Sequence, residues 1–493
     1  MTQATKPSGT AVALALLAGC AVGPDYVKPA APAPEAFKEA QGWKPAQPRD
    51  HALPGAWWEI FGDPQLNALE QAATHDNFSI AQAEAQYRQA QALVQSAWSS
   101  FAPTGSATAS TNRSRSASGQ SVAVSGVRNL FNVALSASWE PDLWGAVRRQ
   151  VESSEASAQA SAATLQGVRL SVQATLAQDY FQLRALDAQK KVLDDTVAAY
   201  AKTLELTRNR YGVGVAAKAD VVQAEMQLES ARAQALDLGV QRAQLEHAVA
   251  VLTGKPPAAL DLAAAPLTAK PPPVPVGLPS ELLERRPDIA AAERQVAAAN
   301  AKIGVAKAAY FPTLTLSASN GFQSYSLSSL FNAARRYWAL GPASLSLLVF
   351  DGGARSAQMK QAIDAFDASA AAYRQTVLTG FQEVEDQLAA LRILEQEYAV
   401  RAKAVKAARE SVALTHNQYQ AGTTGYLEVM VAQAAALDNE QAAVQVLGNR
   451  MVAAVLLVKA LGGGWQASAL PSPEQAGGEV EWYEYFPVPV PVR

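Results

Sequence analysis

Cysteine occurs once in 493 residues, and histidine four times, at His51, His75, His247 and His416. A lone thiol closes no disulfide within the chain, and no zinc site can be built on clustered cysteines. Charge is sparse as well. Charged residues are 17% of the chain and the net charge is -3, so no basic field points to nucleic acid. Aromatic residues make up 7% while hydrophobic residues reach 49%, much of it alanine. Alanine favours helices and close helix contact, and builds little core thickness. Proline is missing between Pro141 and Pro256 and again between Pro342 and Pro471, which leaves both stretches free to run as long helices. No nucleophile stands in a pattern with a base. The serines of 114–118 have no His partner, and Glu383, Glu385 and Asp386 read as a solvated or inter-helix face in preference to a cation site. The residues expected of an enzyme, a cofactor site or a metal centre are therefore not there.

The one cysteine is informative through its position. Lys6 precedes a short apolar run, Ala11 to Ala18, that leads into Leu17-Ala18-Gly19-Cys20. The run is far shorter than the roughly 20 residues of a membrane-spanning helix and reads as the core of a signal peptide. The residues around Cys20 resemble a bacterial lipobox, in which the cysteine becomes lipid-modified after cleavage. Ala21 is not the aspartate that retains lipoproteins at the inner membrane, so the resemblance implies sorting to the outer membrane. The expected organisation is a signal peptide over 1–19 and a lipid-anchored, proline-rich arm over 20–56. A first repeat over 57–254, a linker over 255–279, a second repeat over 280–465 and a tail over 466–493 follow.

Each repeat reads as helix, strand, loop, strand, long helix, turn, helix. Asp63-Pro64 opens a helix to about Trp98, with Asp63 as N-cap and Pro64 at the first helical position. Residues 101–139 read as two strands around a polar loop. Val133, Leu135, Ala137 and Trp139 alternate with Asn132, Ala134, Ser136 and Ser138, the period of a strand with two different faces. A helix from Gly145 to about Tyr211 would be roughly 100 Å long, and a shorter one runs from Asp220 to Thr253. The second half repeats this with a helix from Pro287 to Tyr310, strands around Leu314–Ala318 and Ala343–Leu347, a long helix from Gly353 to Tyr419 and a last helix to Leu461. The two shorter helices of the first half, about 35 residues each, are expected to stack end to end along the long one.

The two turns match. Tyr211, Gly214, Asp220 and Val221 correspond to Tyr419, Gly422, Glu428 and Val429, all at one offset of 208 residues. Gly214 and Gly422 read as turn glycines with positive φ, and Tyr211 as a packing residue. Strands with one apolar and one hydroxyl-rich face suit a sheet between lipid and water. Four strands cannot close a barrel, which needs about eight, and two open edges would aggregate. A ring of identical chains closes both the strands and the helices.

Several motifs in order carry a resemblance over nearly the whole chain, from Cys20 to about Trp465. They are the lipobox, Gly23-Pro24-Asp25-Tyr26, Trp139-Glu140-Pro141-Asp142-Leu143-Trp144-Gly145, Phe350-Asp351-Gly352-Gly353, Glu383-Val384-Glu385-Asp386 and Ala460-Leu461-Gly462-Gly463-Gly464-Trp465. Together they resemble the outer membrane factor (TolC/OprM/NodT) family. The resemblance implies an α+β fold in which a homotrimer builds a 12-stranded barrel that continues into a long periplasmic α-helical barrel. It implies a passive exit duct of a tripartite efflux pump for drugs or other toxic compounds. Its partners would be outer membrane lipid, a periplasmic adaptor and an inner-membrane transporter of the RND class, with no cofactor beyond the lipid on Cys20. A type I protein-secretion duct and a non-pore coiled-coil lipoprotein are the alternatives. By the same resemblance Leu427 and Glu428 match a constriction of the tunnel at its periplasmic end, and Asp220 and Tyr419 match a pair that links neighbouring helices in the closed state. Helix capping competes for both carboxylates. Val431 replaces a second acid of the family pattern and Thr424 a basic residue, so a seal by Leu427 packing is expected over one by charges.

Overall fold

In the computed structural model, residues 21–32, 34, 36–39, 55–115, 127–274 and 279–478 are described. Cys20, the signal segment before it and the chain beyond 478 lie outside the described residues. The major elements are α1 (Pro64–Asp76), α2 (Phe78–Ser99), β1 (Thr104–Arg115), β2 (Val127–Trp139), α3 (Ala146–Gly212) and α4 (Lys218–Leu252). The second half adds α5 (Pro287–Ala308), β3 (Thr313–Ser324), β4 (Arg336–Ser346), α6 (Ala354–Ala421) and α7 (Tyr426–Ala460).

The strands form one antiparallel sheet in the order β1-β2-β3-β4. The two halves of the chain join through β2 and β3, where Phe131 faces Ser324 and Trp139 faces Leu316. A register shift between Leu316 and Ala318 interrupts β3–β4. β1 and β4 are left as open edges. The strands are longer than the alternation predicts, because Gly321 to Ser324 and Arg336 to Leu340 pair in register without alternating by hydropathy.

An aspartate starts each long helix in the same way. Asp142 accepts the amides of Val147 and Arg148, both at 3.0 Å, and binds the Arg148 guanidinium at 3.1 Å. Asp351 accepts the amides of Gly353 at 2.9 Å and Arg355 at 3.1 Å, and binds the Arg355 guanidinium at 2.6 Å. Free amides at a helix start favour a carboxylate there. With a helix launched from β2 and from β4, sheet and helices become one continuous wall.

The expected helix from Pro64 to Trp98 is two helices. The Asn77 side chain accepts the amides of Ser79 at 2.8 Å and Ile80 at 3.1 Å, so it caps α2 and breaks the run. Its amide nitrogen donates to the carbonyl of Leu252 at 2.8 Å. This joins the end of α4 to the start of α2, so α2 alone stacks on α4, and α1 packs to the side against α3. In the second half Arg286 donates to the carbonyl of Ala460 at 3.0 Å and joins α7 to α5 in the same way.

The main core lies at these junctions, around Trp57, Leu66, Leu176, Tyr180, Phe181, Tyr373 and Met451. α7 is long and apolar enough to cross a membrane. It packs instead against α3 and α6, with Met451, Ala454, Val455, Leu457 and Val458 fully buried. The described residues of the proline-rich arm are strapped to the body. Val22 donates its amide to the carbonyl of Trp144 at 3.0 Å, Asp25 pairs with Arg149 at 2.8 Å, and Tyr26 donates to Glu293. Glu385 accepts the amides of Lys38 at 2.6 Å and Glu39 at 2.9 Å, while Glu383 pairs with Arg286 at 2.6 Å. The acidic turn of α6 is thus spent on protein partners.

Candidate functional site

The two helix-to-helix turns meet at the end of the molecule farthest from the sheet. In each, the left-handed backbone of one glycine reverses the chain: Gly214 and Gly422 both have φ +75°. Thr423 donates its amide to the carbonyl of Gln418 at 3.0 Å, and Val215 its amide to that of Arg210 at 2.8 Å.

The turns are alike in backbone and unlike in side chains. Tyr419 is 2% exposed, whereas Tyr211, its counterpart and expected packing residue, is 46% exposed. The reason lies in what surrounds each ring. Tyr419 packs edge-on to Tyr426 with ring centroids 6.2 Å apart. Its hydroxyl shares a hydrogen bond with Thr207 at 3.1 Å, and the Arg210 guanidinium lies 4.6 Å above its ring. Arg210 also donates to the carbonyl of Tyr419. In the first turn, Lys218 stands in place of Tyr426 and Gln418 in place of Arg210, so no equivalent nest forms around Tyr211. Tyr200, Leu204, Leu228 and Val429 complete a small core beneath the tip, and Gln433 donates to Thr203 at 3.0 Å across the two halves.

The sequence singled out Tyr419 and missed what holds it. Thr203, Thr207 and Arg210 recur at spacings of four and three on α3, which was a legible polar stripe. Arg210 is the basic group that contacts Tyr419 at this tip.

Asp220 and Tyr419 are not bonded to each other within one chain. Asp220 accepts the amide of Ala217 at 3.3 Å, which places it as a cap on α4. Leu427 is 55% exposed, Glu428 is exposed beside it, and Val431 is 58% exposed one turn further on. Leu427 and Val431 are four residues apart and share a face of α7. The free surface here is an apolar pair with one carboxylate at its side. Among the described residues, no cluster of His, Cys, Asp or Glu could hold a metal ion.

The sequence profile of outer membrane efflux proteins matches this chain twice, over residues 69–255 and 278–463. The chain is 32% identical over 475 residues to the probable efflux pump outer membrane protein TtgC of Pseudomonas putida, covering 95% of this chain and 98% of that protein. Among solved structures, the outer-membrane channel OprN superposes with a TM-score of 0.85 at 31% identity, covering 91% of this chain and all of OprN. The open state of the Neisseria gonorrhoeae MtrE outer membrane channel superposes with a TM-score of 0.78 at 31% identity, covering 91% of this chain and 99% of that one.

Proposed function

This chain belongs to the outer membrane efflux protein family, and from that premise we propose that three copies form a passive exit duct, a β-barrel in the outer membrane opening into a periplasmic tunnel of helices. The observation that carries the reading is the four-stranded sheet with two open edges and a broadly exposed apolar face, with Leu135 at 66%, Trp338 at 74% and Leu340 at 85%. Lipid satisfies such a face, but it cannot satisfy open strand edges; further copies can. Three sheets of four strands exceed the roughly eight a barrel needs and leave an aqueous lumen.

The tips would form the periplasmic mouth. Three copies of Leu427 and Val431 close it by apolar packing, and three Glu428 carboxylates favour cations in the narrowed pore. A periplasmic adaptor would dock at these tips, and an inner-membrane transporter of the RND class would supply the energy. A lipid on Cys20 would add an anchor. In support, Ala21 lies against Gly145 at the start of α3, directly beneath the sheet. Small toxic molecules are the proposed cargo. A type I duct for secreted proteins is the alternative, separated by which inner-membrane transporter co-purifies. The test is the purified protein in a planar bilayer together with membrane fractionation. Discrete conductance steps and outer-membrane fractionation are expected. Absence of conductance with inner-membrane fractionation would instead support a non-pore coiled-coil lipoprotein.

A further inference from the structure

The two strand hairpins carry charge of one sign only. Residues 101–139 and 311–350 contain no Asp or Glu, yet they hold Arg113, Arg115, Arg128, Arg335 and Arg336. All five lie at one end of the sheet, where β1 ends and where β2 and β4 begin. That end is opposite the helices.

Strand register sorts the arginines by face. Arg113 pairs with Asn129, Arg115 with Val127 and Arg336 with Phe322, and residues paired in an antiparallel sheet share a face. Phe322 pairs on with Val133, and the next row on this face is Leu135, Asn320 and Trp338. The three arginines therefore crown the apolar face. Arg128 alternates onto the other face and lies 5.3 Å from the ring of Tyr325. Arg113, Arg115 and Arg336 are all exposed. From Arg336 to Ser346 β4 has 11 residues, which at strand rise and barrel tilt spans a height of about 25 Å, the depth of an outer-membrane apolar band. Trp338, two residues inward, is placed as an interfacial anchor.

We propose that Arg113, Arg115 and Arg336 bind the phosphate-bearing headgroups of the outer-leaflet lipid that surrounds the barrel. The proposal rests on the ring of copies described above. Closing that ring lays β4 of one copy against β1 of the next, antiparallel, and brings the Arg336 end of one edge to the Arg115 end of the other. Like charges across a strand pair repel, and neither hairpin has a carboxylate to offset them. A phosphate between guanidinium forks accepts paired hydrogen bonds from both and turns the repulsion into a bridge between copies. The apolar surface directly beneath favours a phosphate carried on a lipid over one free in solution.

The experiment uses the full-length protein in lipid nanodiscs containing bis-phosphorylated lipid A, dephosphorylated lipid A or phosphatidylcholine alone, with retained lipid A counted by native mass spectrometry. Wild type is expected to retain the phosphorylated form preferentially. The triple variant Arg113→Gln, Arg115→Gln, Arg336→Gln should lose that preference by on the order of a hundredfold. The triple Arg→Lys variant should keep much of it, and Arg128→Gln, on the other face, should keep all of it. Equal retention by the triple Gln variant, equal loss in Arg128→Gln, or full competition by millimolar inorganic phosphate would overturn the proposal. The oligomeric state is read in the same spectra. A wild type that is not a ring fails the underlying duct reading, whereas a ring with no phosphate preference fails this inference alone.

Discussion

Glu70 buries its carboxyl completely in α1, and neither oxygen has a hydrogen-bond partner among the described residues. Burial raises its pKa from 4.5 to about 9. The unfolded chain releases this proton near 4.5 and the folded chain keeps it until about 9, so stability falls as pH rises through that window and is level on either side. Glu70→Gln, which mimics the protonated form, should melt with wild type at pH 4 and be more stable by ~1–3 kcal/mol at pH 8. Parallel melting curves at both pH values would refute the assignment. The tip poses the opposite case, of residues that matter when exposed. Leu427→Ala and Glu428→Ala are each expected to raise the conductance of the isolated duct, with Leu427→Ala the larger because its exposed side chain shares a helix face with Val431 and would form the proposed apolar seal with it. Arg210→Ala should raise it too, since Arg210 both covers the Tyr419 ring and binds its carbonyl. Tyr419→Phe loses only the hydroxyl bond to Thr207, worth ~1 kcal/mol, and should change conductance least. Unchanged conductance in both Leu427→Ala and Glu428→Ala would leave Glu428 as a helix cap.

Between elements, the decisive contacts are the two end-to-end helix junctions. A Cβ on Gly462, at φ +91°, would sit 2.0 Å from the carbonyl oxygen of Arg285; one on Gly254, at φ +71°, would sit 2.3 Å from that of Asp76. These glycines let the backbone just after α7 close on the residues that lead into α5, and that just after α4 close on the α1–α2 junction. Gly462→Ala should therefore cost ~3 kcal/mol or more, from positive φ and backbone collision together. Gly352→Ala, at φ +63° with nothing within 4 Å, should cost only ~1–2 kcal/mol. Thermal unfolding of the two variants side by side checks this, and equal losses would remove the close-approach argument. The same junctions mark where sequence reading stops. Period and proline gaps made the long helices legible, and the offset of 208 residues made the turns legible, because both are local patterns. Asn77 was not, since Asp76-Asn77-Phe78 breaks a helical period only when its side chain turns to cap α2. Nor was the path of the arm, whose docking on Trp144, Glu293 and Glu385 joins residues hundreds of positions apart. Arg210 was half legible: its stripe lies in the sequence, but its target, Tyr419, lies in the other repeat.

At the scale of the whole molecule, everything turns on the open edges of β1 and β4. Each presents a row of backbone donors and acceptors that, in lipid, would cost several kcal/mol apiece if left unpaired, so a single chain has no stable place in a membrane. Ring closure makes a geometric demand that cysteine pairs can read cleanly, because the only native cysteine is Cys20. On the hydroxyl-rich face, β1 offers Thr108 and Ser110, and β4 offers Ala339 and Ser344. One cysteine from each set, tested in all four combinations, samples the registers open to two antiparallel edges within the reach of a disulfide. At least one combination should give, on mild oxidation in membranes, covalent dimers and then trimers on denaturing gels, with the ladder ending at three. Ser136→Cys with Ser319→Cys, which face each other across β2 and β3 inside one sheet, should close within the chain and add no mass. A ladder continuing beyond three would mean a larger ring or an open filament. Purely intrachain bonds in all four combinations would mean that the edges never meet, and the duct would have to be abandoned along with its gate.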